Sequence, residues 1–192
     1  MAQQERNYWL FKTEPGCFSF DDLKNRPNMT EHWDGVRNYQ ARNFLRDSIK
    51  PCDLVLFYHS NIAEPAVVGI AEVVREGYPD FTALDPNSEH FDPKATTINP
   101  IWYMVDVRYL EKMPCSVTLE QIKNNPLLSE MPLVKRSRLS IQPVTPEEWR
   151  IITIMGASKK RRTKPASEIT QFSQQYQVDL SGYRFNREAP ER

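Results

Sequence analysis

The sequence of 192 residues is 40% hydrophobic and 26% charged, a composition typical of one globular domain with an appendage. It contains no stretch near the roughly 20 apolar residues that are needed to cross a bilayer. The three cysteines, Cys17, Cys52 and Cys115, are widely spaced and form no CxxC pair, which argues against a disulfide framework or a structural zinc site. We therefore expect a cytoplasmic protein, or a nuclear one in a eukaryotic cell, with no membrane partner, no metal and no cofactor.

Charge is unevenly distributed although the formal net charge is zero. Residues 157–192 contain eight Lys or Arg and four Asp or Glu, a balance of +4, so residues 1–156 contain 17 basic and 21 acidic residues, a balance of −4. Non-specific phosphate binding requires many basic side chains that release counterions, and a mildly acidic body is poorly suited to it. We predict a folded domain over 1–156 and a basic, disordered tail over 157–192. Any nucleic-acid role must come from a local pocket or from the tail.

The N-terminal region predicts a strand followed by a short helix. Residues 8–13 are aromatic and β-favouring, and a turn at Glu14-Pro15-Gly16 ends them. Ser19 and Asp22 have the spacing of a capping box, which predicts a helix that ends before Pro27. Residues 25–31 then form a predicted loop.

The middle of the chain predicts a helix and a central hairpin. Asn38 is a suitable N-cap, and the helix that it starts would bury one face, formed by Ala41, Phe44, Leu45 and Ile49. Residues 54–58 are an apolar run of strand length, and residues 66–74 are its predicted hairpin partner. Residues 75–101 are rich in Pro, Asp and Asn, and their aromatic residues favour an ordered loop packed on the domain.

The last third predicts strands over 102–110 and 139–144, with a short helix from Thr118 between them. Thr145 and Pro146 start a final helix that Gly156 is expected to end. The predicted fold class is therefore α+β: a small mixed β-barrel with short helices between strands, rather than a doubly wound parallel sheet.

The stretch from Trp33 to Arg42 combines two aromatic rings, two arginines, an amide and a turn glycine, without the periodic apolar residues of a core segment. Gly35 lets the backbone turn sharply and approach a ligand closely. Stacking of a base on an aromatic ring is worth roughly 1–3 kcal/mol, and the amide of Asn38 can both donate and accept toward a base edge. This composition favours recognition of a flat polar ligand such as a nucleobase.

These side chains also have simpler structural interpretations. Trp33 and Tyr39 are as readily expected to be core aromatics beside a helix. Arg37 is as readily expected to pair on the surface with Asp34 or Glu31.

Polar residues at strand ends extend the candidate pocket. His59 and Ser60 follow the apolar run 54–58, where a rigid sheet supports groups that line a pocket, although a loop that only caps the strand is an equal alternative. Lys12 lies at the exit of the first strand and could form an ion pair with Glu14. A basic cluster later in the chain is either a solvated face or a phosphate contact, and it consists of Lys135, Arg136 and Arg138.

Common enzyme signatures are absent from the sequence. It contains no GxGxxG, GxxxxGK[ST], HExxH or GxSxG motif, and the three histidines are not spaced as metal ligands. We therefore predict no catalytic residue. A cysteine nucleophile at Cys17 or Cys52 that meets His59 in space remains as an alternative.

Several segments spaced along residues 8–155 agree with one known family: Tyr8-Trp9-Leu10-Phe11-Lys12-Thr13-Glu14-Pro15, Trp33-Asp34-Gly35-Val36-Arg37-Asn38-Tyr39-Gln40-Ala41-Arg42, Phe57-Tyr58-His59-Ser60, Val68-Gly69-Ile70-Ala71, Phe91-Asp92-Pro93-Lys94 and Trp102-Tyr103-Met104-Val105-Asp106-Val107. Together they resemble the EVE domain family. The resemblance implies a PUA-like barrel and a non-catalytic protein that binds DNA or RNA carrying a modified base, chiefly a modified cytosine.

The resemblance also implies which residues form the site. The implied base-binding residues are Lys12, Trp33, Val36, Asn38, Tyr39, Tyr58, His59 and Ser60. The predicted contacts to the nucleic-acid backbone are Arg37, Arg42, Lys135, Arg136 and Arg138. Two other hypotheses stay open: an enzyme acting on a modified base or nucleotide, and a module that binds a peptide or a small metabolite.

Overall fold

The computed structural model describes residues 6–135 and 138–157, which form a six-stranded mixed sheet surrounded by short helices. The strands are β1 (Tyr8–Thr13), β2 (Thr30–Trp33), β3 (Leu54–His59), β4 (Ala66–Pro79), β5 (Tyr103–Thr118) and β6 (Ile141–Val144). The α-helices are α1 (Phe20–Asn25), α2 (Tyr39–Asn43), α3 (Leu119–Lys123), α4 (Pro132–Lys135) and α5 (Pro146–Ala157). Within these ranges no helix has the length and apolar character that would cross a membrane. The predicted tail lies outside the described residues apart from Ala157.

The strand order across the sheet is β2-β5-β4-β3-β1-β6, so the predicted hairpin of β3 and β4 lies at its centre. β1 and β3 are parallel, and the other neighbouring pairs are antiparallel. The mixed sheet with short helices confirms the predicted α+β class. The sheet is not closed into the predicted barrel, because the edge strands β2 and β6 do not pair with each other in the described ranges. Both have only four residues, and Pro143 in β6 lacks an N–H for a further strand.

β4 and β5 are longer than their sequences predict. They continue to Pro79 and Thr118, whereas the apolar pattern predicts ends at Val74 and Leu110. The extra residues are largely polar or exposed, but each strand supplies the other with hydrogen-bonding partners across several register shifts. Tertiary pairing therefore extends both strands beyond their hydrophobic pattern.

The segment between β1 and β3 differs from prediction in two places. The loop expected over 25–31 contains a 3-10 turn at Pro27–Met29 and the first residues of β2. The helix that Asn38 caps is shorter than expected, because a π-helical turn over Phe44–Ser48 replaces its second half. Its predicted apolar face is nevertheless buried, at Ala41, Leu45 and Ile49.

The final helix α5 passes through Gly156 rather than ending there. A Cβ at Gly156 would lie 2.6 Å from the sulfur of Met113. Gly156 therefore serves close packing of α5 on β5, and this role replaces the predicted one of a helix stop.

The two faces of the sheet carry separate apolar clusters, as the alternation of side chains along each strand requires. Phe11 and Phe57 belong to the cluster that also contains Trp33 and α1. Leu10 and Leu56 point to the opposite face, where Trp149 of α5 packs. Side chains at the ends of β1 and β3 therefore emerge from a sheet that is covered on both sides.

Gly69 allows α1 to lie directly on the sheet. The ring of Phe20, which is 1% exposed, occupies the space that a Cβ at Gly69 would fill. The same ring stacks on Tyr109 at 4.6 Å and tilts against Phe57 at 4.8 Å. Phe20 has no room to retreat from a larger residue at this position.

We expect Gly69→Ala to lower the free energy of unfolding by about 1–3 kcal/mol, the usual cost of overpacking a filled core. Gly16→Ala is the matched control, because no atom lies within 4 Å of a Cβ built at Gly16. Urea unfolding of both variants measures the difference. Equal stabilities would contradict the close contact of Phe20 with the sheet.

Asp53 fixes the start of the parallel pair of β1 and β3. Its carboxylate is buried and accepts three hydrogen bonds: from the backbone N–H of Asn7 at 3.0 Å, the indole N–H of Trp9 at 2.9 Å and the backbone N–H of Lys50 at 3.0 Å. All three partners are donors. An acceptor-only group is therefore required at this position.

Asp53→Asn should cost about 2–3 kcal/mol in the free energy of unfolding, because an amide NH₂ would face N–H donors and leave buried groups unsatisfied. Asp47→Asn is the control, since Asp47 is exposed and forms an exposed ion pair with the neighbouring Arg46 at 2.7 Å. Chemical denaturation compares the two. A loss no larger for Asp53→Asn than for Asp47→Asn would show that the buried cluster is dispensable.

Candidate functional site

An open cavity of about 980 Å³ lies at the ends of β1 and β3, which is large for a ligand pocket. Four parts of the chain contribute most of its lining: the strand ends themselves, the segment 26–37 around β2, the loop that follows β4, and the segment 133–140 before β6. The lining includes the following residues: Lys12, Arg26, His32, Trp33, Gly35, Val36, Arg37, Tyr58, Ser60, His90 and Arg138.

The apolar wall of the cavity continues the core of the protein. Trp33, the last residue of β2, is 7% exposed, and its ring centroid lies 5.1 Å from that of Phe11 and 5.4 Å from that of Phe57. Val36 is 5% exposed and lies on the same wall. Trp33 is therefore a core aromatic that also presents a surface to the cavity, so both interpretations of this residue describe it.

The polar wall follows from the parallel register of β1 and β3. Lys12 pairs with Tyr58, and the Lys12 ammonium nitrogen lies 5.8 Å from the centroid of the Tyr58 ring. One step further, the backbone N–H and hydroxyl of Ser60 both donate to the carbonyl of Thr13, at 2.8 and 3.1 Å. The sheet thus holds three of the predicted base-binding side chains at one edge.

Burial changes the acid–base properties of this wall. It lowers the pKa of the Lys12 ammonium, because a charged group loses solvent there. It raises the pKa of the Tyr58 hydroxyl to about 12. At neutral pH the tyrosine therefore stays protonated and can donate or accept a hydrogen bond.

The turn at Gly35 is held by the buried carboxylate of Asp80. One oxygen accepts the backbone N–H of Gly35 at 3.2 Å and the guanidinium of Arg37 at 2.8 Å, and the other accepts the backbone N–H and hydroxyl of Thr82. Burial alone would raise the pKa of Asp80, but the hydrogen bonds from Thr82 and Arg37 lower it. Arg37 also donates to the carbonyl of His90. Arg37 therefore pairs with Asp80 and not with Asp34 or Glu31, the two predicted partners. Its guanidinium links the turn to the loop, so it is not freely available for the predicted contact to a phosphate.

His90 occupies the close approach that Gly35 permits. Gly35 has a φ of +70°, and a Cβ there would lie 2.6 Å from the Nε2 atom of His90. The sequence predicts that a ligand uses this space, whereas the structure places an imidazole in it. The long loop after β4 is ordered and packed on the domain, as predicted, and it supplies this part of the cavity wall.

Three predicted site residues from the Trp33 to Arg42 stretch lie outside the cavity. The Asn38 side-chain oxygen accepts the N–H of Ala41 at 3.0 Å as the N-cap of α2. Tyr39 is 61% exposed and stacks on Trp102 with ring centroids 5.1 Å apart. Arg42 donates to the Ile101 carbonyl at 2.6 Å. The short helix turns these side chains away from the wall formed by Trp33 and Val36.

The basic cluster after α4 is divided by the structure. Lys135 forms an exposed ion pair with Glu130 and does not line the cavity. Arg138 is exposed and lies at the cavity rim. Arg136 lies outside the described residues.

The alternative catalytic residues are not brought together at the cavity. The Nε2 atom of His59 accepts the backbone N–H of Phe20 at 3.1 Å, and burial lowers the pKa of its imidazole. Cys17 lines the cavity, but Cys52 and His59 do not. Over residues 6–135 and 138–157 no three His, Cys, Asp or Glu side chains cluster as metal ligands would.

Sequence reasoning missed the residues that flank β2. Arg26 and His32 both lie on the rim and both contact the carboxylate of Glu31, at 2.6 Å each. His32 also lies 5.2 Å, ring to ring, from Phe81 of the long loop. The sequence signal that could have identified them is the grouping of charged and titratable residues, Arg26, Glu31 and His32, in and beside the predicted loop 25–31.

The chain resembles known proteins over most of its length. Thymocyte nuclear protein 1 of Mus musculus is 44% identical over 164 residues, which cover 76% of this chain and 72% of the relative. A hypothetical protein from Leishmania major superposes with a TM-score of 0.78 at 48% identity, covering 82% of this chain and 99% of the other. The human THYN1 protein, solved in complex with 5-methylcytosine-containing DNA, gives a TM-score of 0.75 at 40% identity and covers 83% and 99%.

A family model places these similarities in one group. The model described as the EVE domain matches residues 7–155, which is well over half of the sequence and includes every described strand. The protein therefore belongs to the EVE domain family.

Proposed function

We propose that this protein binds DNA or RNA carrying a modified base and holds that base, extruded from its neighbours, in the cavity. The observation that carries the proposal is the convergence of an apolar wall, Trp33 and Val36, with the polar groups of Lys12, Tyr58 and Ser60. The human THYN1 protein, which is 40% identical, was solved with DNA that contains 5-methylcytosine. A modified cytosine is accordingly the ligand that we expect here.

The two walls suit the two parts of a modified cytosine. The flat ring and its methyl group lose water against Trp33 and Val36, and stacking on an aromatic ring is worth roughly 1–3 kcal/mol per base. The ammonium of Lys12 donates to the carbonyl oxygen or ring nitrogen at the base edge, and the Tyr58 hydroxyl donates or accepts. These contacts offset the few kcal/mol that extrusion costs, a cost that is lowest in single strands.

Backbone contacts in this proposal come from the rim. Arg138 is exposed, and the Arg26 side chain is 49% exposed although it pairs with Glu31. Both can reach a phosphate without leaving the cavity edge. Arg136, which lies outside the described residues, stays a predicted backbone contact. Arg37 has a positioning role because Asp80 holds its guanidinium. Few phosphate contacts and an acidic body make the cavity the main source of selectivity.

We propose a reader rather than an enzyme. Cys17 is the one candidate nucleophile that lines the cavity, and its predicted partner His59 instead accepts a backbone hydrogen bond that fixes the start of α1. The chemistry that the cavity offers is donation and acceptance of hydrogen bonds beside an apolar wall. Such groups bind a base without activating a nucleophile.

We further propose that the EVE domain occupies residues 1–156 and that 157–192 form a basic tail outside it. The match of the family model to residues 7–155 supports this division. In a eukaryotic cell the nucleus is the compartment that suits the relatives' name, thymocyte nuclear protein 1.

Lys12→Met should weaken binding of an oligonucleotide with one 5-methylcytosine by about 10-fold or more, because it removes a charge-assisted hydrogen bond. Binding of the unmodified oligonucleotide, which relies on backbone contacts, should change by less than about twofold. Fluorescence anisotropy titrations measure the dissociation constants of the modified and the unmodified oligonucleotide.

Lys50→Met is the matched control, since Lys50 is an exposed lysine paired with Glu76 outside the cavity. It should leave the preference for the modified oligonucleotide unchanged. A Lys12→Met variant that is folded and keeps the full preference would overturn the assignment of Lys12 to the base site.

The lowered pKa of Lys12 predicts a specific pH dependence of stability. Between its folded-state pKa and the ordinary 10.5, the unfolded chain binds more protons than the folded one, so stability rises with pH in that window. We expect the free energy of unfolding of the wild type to rise relative to Lys12→Met as the pH is raised from 7 to 10. Urea titrations at several pH values measure this difference, and a constant or falling difference would show that the ammonium is not desolvated.

A further inference from the structure

Four side chains form a continuous set of ring and guanidinium contacts from the cavity edge to the protein surface. The guanidinium carbon of Arg37 lies 5.2 Å from the ring centroid of Trp102, and Trp102 stacks on Tyr39 at 5.1 Å with an interplanar angle of 28°. The guanidinium carbon of Arg42 lies 5.1 Å from the Tyr39 ring. We call these residues the stacking platform: Arg37, Trp102, Tyr39 and Arg42.

The platform is rigid although its outer ring is exposed. Trp102 is 6% exposed, and its indole N–H donates to the Asp92 carboxylate at 2.7 Å. Arg42 is tied to the Ile101 carbonyl, and Arg37 is tied to Asp80. Tyr39 is 61% exposed against this fixed support. A preorganised aromatic surface binds a planar ligand with little loss of side-chain entropy.

The platform is continuous with the cavity. Arg37 lines the cavity and also contacts Trp102, so one guanidinium belongs to both surfaces. Tyr39 follows two residues later, which limits the distance between the two backbones to about 7 Å. A nucleotide next to one that occupies the cavity is therefore within reach of Tyr39.

The charge of the platform is positive where it meets solvent. Arg42 donates to a carbonyl and to the Asn43 amide oxygen, which are neutral acceptors. Hydrogen bonds from Arg46, and to a smaller extent the charge of Arg42, lower the pKa of the Asp47 carboxyl. Both Asp47 oxygens accept hydrogen bonds from Arg46, so Asp47 is already paired. Arg42 therefore keeps charge that can act on a phosphate.

We propose that the stacking platform binds the nucleotide adjacent to the modified one, with its base stacked on Tyr39 and its phosphate at Arg42. This inference rests on the proposed function, because the cavity sets which nucleotide reaches Tyr39. Aromatic stacking with arginine beside it tolerates any base, so the platform adds affinity without reading sequence. Tyr39 and Arg42 thus belong to the nucleic-acid interface although they lie outside the cavity.

The test uses single-stranded oligonucleotides with and without a central 5-methylcytosine and anisotropy titrations of the full chain. Tyr39→Ala should weaken binding of both about 5- to 100-fold, whereas Tyr39→Phe, which keeps the ring, should stay within about twofold of wild type. Arg42→Gln should reduce the slope of log affinity against log salt by about 0.7, the value for one contact to a single strand. A 2-aminopurine placed beside the methylcytosine should be quenched in the wild type and not in Tyr39→Ala.

Two controls match these substitutions. Leu127→Ala removes an apolar side chain of similar exposure, 66%, elsewhere on the surface, and Arg108→Gln removes the same charge from β5, where Arg108 pairs with Glu72 outside the cavity. Both should leave affinity and 2-aminopurine fluorescence unchanged. Circular dichroism before titration establishes that each variant is folded.

The outcomes separate the platform from the cavity. If Lys12→Met removes the preference for methylcytosine while folded Tyr39→Ala binds as wild type does, the platform is wrong and the reader proposal stands. If the wild type shows no preference and Lys12→Met changes nothing, the reader proposal fails and the platform, which depends on it, fails as well. Loss of binding in Tyr39→Ala with the preference retained supports both.

Discussion

The parallel pairing of β1 and β3 is the constraint on which the site depends. Because the carboxyl ends of parallel strands meet at one edge of a sheet, Lys12 and Tyr58 leave it side by side. Asp53 fixes the pair at its start through three hydrogen bonds that its carboxylate accepts, and Ser60 fixes it at its end by donating to the carbonyl of Thr13. The polar wall of the cavity is therefore as rigid as the centre of the sheet, and it contributes little conformational entropy to be lost on binding.

Asp80 is a second buried carboxylate that fixes the backbone, here at the turn beside Trp33 and Val36. A buried carboxylate is tolerated only when its oxygens are satisfied, and here the turn at Gly35, the guanidinium of Arg37 and the first residues of the loop provide the partners. Arg37 therefore has a structural role: it holds the turn and the loop together. The residues around the cavity thus divide into those that build it, such as Arg37 and Asp80, and those that the proposed function assigns to the ligand, such as Lys12 and Tyr58.

Local signals predicted the elements of the fold and part of the site. Capping residues located the helices, the apolar run 54–58 located a central strand, and the resemblance selected five side chains that do meet at the cavity: Lys12, Trp33, Val36, Tyr58 and Ser60. Asn38 had two predicted roles, N-cap and base reader, and the structure shows its side-chain oxygen in the cap. What escaped prediction depends on tertiary contacts, because no local pattern places His90 against Gly35 or lengthens two polar strand ends by pairing them.

The contact between His90 and Gly35 has a consequence for how such a pocket can change. The turn and the loop touch at a point where one side has no side chain and the other has an imidazole, so this part of the cavity wall is formed by two positions that are far apart in sequence. The loop lies outside the sheet's hydrogen-bonded centre, and substitutions in it alter the opening without disturbing the strands that hold the polar wall. This part of the cavity wall can therefore change shape by substitution while the sheet and the polar wall stay the same.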